Sequence, residues 1–211
     1  MTLFDLLFIL VLLGSIILLA VTVILALSGR RRKAIRLLRF LGIALAVYLL
    51  IVAVVAVAMP QKILSRDQSR CFDEMCFQVA DVKNVTSIGS ETRRTIAQAG
   101  HSFCIVTVRI TCRGHGHAQS EGGVIGSLVD ARGATYHVSE AGQRAYDGAH
   151  GTTPPLTARV APGETVLSVQ VFDIPSQAPG LGLHIGHSGP GLFIIGDDES
   201  PLHKPTLIRF E

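Results

Sequence analysis

Two uncharged apolar runs near the N-terminus constrain this chain more than any other feature. Leu6 to Leu27 is 22 residues without a charge, interrupted only by Gly14, Ser15 and Thr22, and Leu41 to Met59 is 19 more. A hydrocarbon core of roughly 30 Å is crossed by about 20 helical residues. Backbone in lipid must satisfy its own hydrogen bonds, which selects helices. The expected arrangement is a transmembrane helical hairpin over residues 1–60, with spans at 6–27 and 41–59 and a short loop at 28–40.

Charge gives the hairpin a direction. Arg30, Arg31, Arg32, Lys33, Arg36 and Arg39 all fall in the connecting loop. Together they exceed the net charge of +3 for the whole chain, so the remainder is net negative. That remainder offers no basic face to a nucleic acid. Short loops dense in Arg and Lys stay in the cytoplasm. The N-terminus, Met1 to Asp5, has no basic side chain and one acid. Both ends are therefore expected outside the cytoplasm, giving a multi-pass protein of the cell membrane whose first partner is the lipid bilayer. A cleaved signal peptide is the alternative. The second run ends in Ala56-Val57-Ala58, similar to a cleavage site, but it is longer than an ordinary signal core. Tyr48 is the one notable polar group within the spans, which argues against a transport pathway. Gly42-x-x-x-Ala46 would allow close helix packing.

From Gln61 to Glu211 the pattern changes to that of one extracytoplasmic β-domain. Phe103 to Cys112 alternates: Cys104, Val106, Val108, Ile110 and Cys112 make one face, and Thr107, Arg109 and Thr111 the other. Such alternation marks a strand with one face buried. Phe77 to Val82, Val124 to Val129, Ala134 to Val138, Thr165 to Ile174, Leu181 to Ile185, Leu192 to Ile195 and Thr206 to Phe210 read as further strands. Asp130-Ala-Arg-Gly133 and Pro162-Gly163-Glu164 supply turns between them. Short strands divided by Gly/Pro-rich turns indicate a β-sandwich. Ser139 to Pro155 is weakly patterned and reads as a loop or a short helical turn.

The order of these pieces carries a resemblance. Phe77-x-Val79 leads to Ile105-Val-Thr-Val108. Leu128-Val-Asp130-Ala-Arg-Gly133-x-x-Tyr136, Pro162-Gly163-Glu164-Thr165, Val171-Phe172-Asp173-Ile174-Pro175 and Leu181-x-Leu183 follow. The set resembles the telokin-like, immunoglobulin-like family of exported bacterial domains of unknown function, over roughly Cys71 to Phe210. The resemblance implies an immunoglobulin-like sandwich outside a bacterial membrane, and no particular reaction. The Gly-rich stretch from Gly186 to Pro205 is longer than that family's ending.

All four cysteines lie in the β-domain, and an exported domain keeps its disulfides. Cys104 and Cys112 sit on one strand about 26 Å apart, far beyond the 7 Å or so that a disulfide spans. Cys71 and Cys76 are expected to close a small loop, leaving the other two as buried thiols; cross-pairing to the central strand is the alternative.

Candidate chemistry is sparse. The eight histidines all fall in the β-domain. His115-Gly-His117, with His101, is the candidate zinc or copper site, and His184-x-x-His187 is a second pair of donors. Gly186-His-Ser-Gly189 lacks the spacing of a hydrolase elbow. Asp197-Asp198-Glu199 offers calcium ligands or a solvated turn, and Asn84-Val-Thr86 matches a glycosylation sequon. No catalytic residue and no cofactor is expected. The leading expectation is a membrane-anchored, non-catalytic binding or scaffolding module for a protein or cell-envelope partner, acting through loops such as Arg113 to Gly123 and Ser139 to Pro155. The alternative is an extracytoplasmic metal-binding protein using the loop histidines.

Overall fold

The computed structural model describes residues 3–90, 93–189, 194–195, 199–200 and 202–210. The chain divides into two compact units, residues 1–61 with 189–204 and residues 62–188 with 205–211.

The first unit holds two helices, α1 (Leu3–Leu27) and α2 (Arg31–Ala58), which pack on each other. Both are long and apolar enough to cross a membrane, with mean hydropathy of 3.1 and 3.0 in the most apolar 18-residue stretch of each. On α1 the less exposed positions are Phe8, Ile9, Val11, Gly14, Ser15, Leu18, Thr22 and Leu25; on α2 they are Ala34, Leu37, Leu41, Leu45, Tyr48, Val52, Ala53, Val55 and Ala56. Three- and four-residue spacings of this kind keep one stripe of each helix on a common seam. The hydroxyls within α1 bond inside it: Ser15 Oγ donates to Val11 O at 2.6 Å and Thr22 Oγ1 to Leu18 O at 2.7 Å.

The connection between the helices is shorter than the expected loop at 28–40. Gly29 takes φ 75°, and the N–H groups of Arg30 and Gly29 return to the carbonyls of Leu25 and Ala26. This is the glycine-terminated helix end that satisfies the last carbonyls. Helix resumes at Arg31 because Arg, Lys, Ala and Leu, which dominate there, are good helix formers. No proline intervenes until Pro60. All of the basic residues except Arg30, the N-cap, therefore stand on the first turns of α2, not in a loop.

The second unit is a β-sandwich. One sheet runs β1 (Ile63–Leu64), β11 (Leu207–Arg209), β10 (Gly182–His187), β7 (Val124–Val129), β8 (Thr135–His137). The other runs β2 (Arg70–Phe72), β3 (Met75–Val85), β6 (His101–Cys112), β9 (Thr165–Pro175), and a hairpin of β4 (Ser87–Ser90) and β5 (Arg93–Ile96) stands apart. All pairings are antiparallel except β1 with β11. The alternation read on the central strand holds: Cys104, Val106, Val108, Ile110 and Cys112 are fully buried. They meet Phe77, Leu128, Phe172, Ile174, Leu183, Ile185 and Ile208 in one core between the sheets.

Ser139 to Pro155 contains a full helix, α3 (Glu140–His150), rather than a loop or single turn. Ser139 caps it by accepting from Gly142 N–H. It covers the outer face of the second sheet, where Ala145 and Tyr146 pack with Phe103, Val169 and Val171. Gln143 also shields the open edge of β9: its Oε1 accepts the Val171 N–H at 3.0 Å and its Nε2 donates to Val169 O at 3.2 Å. An uncovered edge would invite pairing with another chain. The strand expected at Leu192 to Ile195 falls largely outside the described residues, as do Asp197 and Asp198; Ile194 and Ile195 are not in a strand.

Candidate functional site

One end of the sandwich gathers the most chemistry. Strand register brings there the β2–β3 turn, the 113–123 loop, the 161–164 turn and the end of β10, since Met75 pairs with Cys112, Thr111 with Thr165, and Val124 with His187. Cys71 and Cys76, directly opposite on β2 and β3, are joined by a disulfide with Cα atoms 4.0 Å apart. Asp73 in the turn between them has φ 47°, a conformation in which Asp is among the more tolerant residues.

Glu74 ties this hairpin to the next loop. Its carbonyl accepts the Arg113 N–H at 2.7 Å, and its carboxylate accepts from the side-chain amide of Gln119. Gly114 lies so close to that carboxylate that a Cβ there would overlap it. The loop returns through paired backbone bonds between Gln119 and Val160, while Arg159 Nε donates to Ala118 O at 2.9 Å. Held on both sides, the loop carries His115 and His117 exposed at its tip.

Beside the loop stands a chain of contacts that sequence reasoning did not assemble. The Arg70 guanidinium lies 4.8 Å from the Phe72 ring centre, and Phe72 meets the His187 ring edge-on at 4.8 Å. His187 Nε2 is 2.8 Å from Glu121 Oε1. Arg70 is buried, Phe72 half-buried, and the His187 and Glu121 side chains are 34% and 23% exposed. The signals were a lone aromatic inside the cysteine loop and a histidine at a strand end. Neither shows that they meet.

The candidate metal trio does not come together. His101 begins β6 and His115 and His117 follow its far end, so roughly 33 Å or more of strand separates them. His101 Nδ1 is instead 2.9 Å from Asp173 Oδ1. His184 Nδ1 lies 3.1 Å from Thr206 O, and the His150 ring packs against Tyr146 at 4.6 Å. Among the described residues no three His, Cys, Asp or Glu side chains are grouped to hold a metal ion. His115 and His117 alone supply two donors, half of a tetrahedral set.

Cys104 and Cys112 are free and buried. Burial pushes the Cys104 thiol up to about 12, which suppresses the thiolate that reacts. At the opposite end of the sandwich, Asp130 builds a turn. Its Oδ1 accepts the Arg132 and Ala134 N–H groups, both at 2.9 Å, and its Oδ2 the Tyr136 hydroxyl at 3.2 Å. Burial alone would raise its pKa, but these hydrogen bonds prevail and it lies below the usual carboxylate value. The described residues also form two open grooves. One, of about 500 Å³, is bounded by Arg66, Asp67, Gln78 and Arg109. The other, of about 370 Å³, lies between Ile125, His137, Leu156 and Gln170.

No family model and no curated protein matches this chain. Among solved structures it is similar to a conserved hypothetical protein from Bacillus anthracis, with 17% identity, 58% of this chain and 89% of that one covered, and a TM-score of 0.48. An uncharacterized beta-sandwich protein from Clostridium difficile is similar at 9% identity, covering 72% of this chain and 95% of that one, with a TM-score of 0.42. A secreted protein from Mycobacterium tuberculosis is similar at 13% identity, 62% and 93% coverage and a TM-score of 0.42.

Proposed function

We propose that this chain is a membrane-anchored, non-catalytic binding or scaffolding module. In this reading α1 and α2 cross the bilayer as a hairpin with their basic turn in the cytoplasm. Both chain ends then lie outside, and the sandwich works in the extracytoplasmic space, where a disulfide persists. The sandwich is taken as immunoglobulin-like, of the telokin-like kind. Its recognition surface is the end carrying the cysteine hairpin and the 113–123 loop.

The observation that carries this reading is the contact chain Arg70–Phe72–His187–Glu121 on tied loops. Aromatic and Arg side chains are enriched at interfaces, and loops already held in place lose less entropy on binding. The test places a photo-crosslinker at His117 of the full chain in its native membranes, with a second at Arg132, at the opposite end, as control. A discrete crosslinked species seen only from His117, and lost when Glu121→Ala and His187→Ala are combined in a still-folded chain, supports the surface. Identical patterns from the two positions overturn it. Protease added outside intact cells reads the topology: a sandwich digested only after permeabilisation would place it in the cytoplasm.

A further inference from the structure

On the reading that α1 and α2 cross a membrane, we propose that Arg32, Arg36 and Arg39 form a binding stripe for the phosphate groups of anionic phospholipids. The lipids belong to the leaflet from which the α1–α2 turn emerges. The inference rests on helix resuming at Arg31, which turns a basic loop into a patterned helical face. At about 100° per residue, Arg32, Arg36 and Arg39 line up at i, i+4 and i+7, on the side of α2 opposite its seam residues Ala34, Leu37 and Leu41. All three are exposed.

Like charges at these spacings repel and destabilise the helix, so the stripe calls for anions. Among the described residues, none is paired with the stripe. No acid occurs from Leu6 to Arg66. A guanidinium binds a phosphate through two parallel hydrogen bonds. The stripe extends for about 10 Å along the axis. α2 as a whole runs to about 42 Å, so it exceeds a hydrocarbon core of about 30 Å by roughly that amount.

The neighbouring surface selects the kind of anion. On α2 itself Ile35, Phe40 and Ile43 flank the stripe on the same outer face and are exposed. A soluble polyanion would neutralise the arginines and leave these side chains in water. A phospholipid presents a phosphate to the arginines and acyl chains to these apolar side chains, and arginine stems snorkel to the headgroup level.

The experiment uses the full chain reconstituted in phosphatidylcholine vesicles carrying a trace of spin-labelled phosphatidylglycerol or spin-labelled phosphatidylcholine. The fraction of motionally restricted lipid is read by electron paramagnetic resonance. The expected result is a preference of about fivefold for the anionic lipid. It falls to near parity when Arg32→Gln, Arg36→Gln and Arg39→Gln are combined in a chain that still resists carbonate extraction. Equal restriction of the two lipids by the inserted native chain overturns the stripe while leaving the anchor intact. So does a preference that survives the triple substitution. Extraction of the native chain by carbonate overturns the anchor, and the stripe with it.

Discussion

Single residues decide how the ends of this sandwich are built. Asp130 is the clearest case, because one carboxylate serves three donors in a five-residue turn. The turn was legible as Asp130-Ala-Arg-Gly133. The Tyr136 hydroxyl that completes it was not, since a phenol can point elsewhere. A carboxylate whose folded pKa is lowered stabilises the fold once pH exceeds its unfolded value near 4. That contribution is lost as pH falls through the lowered folded value. Asp130→Asn keeps the size and removes the titration. Denaturation followed by far-ultraviolet circular dichroism should therefore show stability falling less steeply below about pH 4 in the variant than in the native chain. Asp67 and Asp81 are also shifted down, so the slope is reduced rather than abolished. Equal slopes in the two proteins would contradict the assignment. Pairs such as His187 with Glu121, 66 residues apart, were closed to sequence reasoning for another reason: nothing local encodes them.

Elements differ in how much of their structure periodicity reveals. The central strand β6 was readable because its buried face is continuous and β-branched. The helix α3 was hidden because Glu140-Ala-Gly-Gln-Arg-Ala-Tyr-Asp-Gly-Ala-His150 has two glycines and few apolar residues. What holds it is tertiary: the Ser139 cap, the Gln143 bonds to β9, and close approach at Gly142. A Cβ at Gly142 would lie 2.8 Å from Val171 Cγ1 and 3.1 Å from the Phe103 ring, whereas one at Gly148 meets nothing within 4 Å. The same substitution should then act in opposite directions at two sites of one helix. Gly148→Ala should stabilise by about 0.5–1 kcal/mol through helix propensity alone. Gly142→Ala should destabilise by about 1 kcal/mol or more, because stiff, buried neighbours cannot give way. Denaturant midpoints of the two variants against the native chain measure both. A stabilised Gly142→Ala would mean that α3 does not rest on Val171 and Phe103. On α2 the misreading was of length: hydropathy marks where apolar residues start, while helix follows propensity and runs on through the arginines.

The chain passes between its two compact units three times, after Gln61, after Ser188 and after Lys204. In the sequence, the Gly-rich stretch from Gly186 to Pro205 stood out only by its length. It interrupts two neighbouring strands: β10 and β11 pair directly, with His184 opposite Leu207. The ends that residues 189–204 connect therefore already lie side by side within the sandwich. Among the described residues, none of the large side chains of its core comes from that segment. Replacing 189–204 by a short Gly-rich turn in the full chain should leave the sandwich folded. Shortening the loop about fourfold should even favour it by about 1 kcal/mol through lower closure entropy. The β-sheet circular dichroism signal and the protection of the buried Cys104 and Cys112 thiols from alkylation report the outcome. Retention of both shows that the pairing of β10 with β11 is set by their own register and by Leu183, Ile185 and Ile208 beneath them. Loss of either would mean that 189–204 is needed to hold β11 in the sheet. In that case the two units would be coupled in stability as well as in sequence.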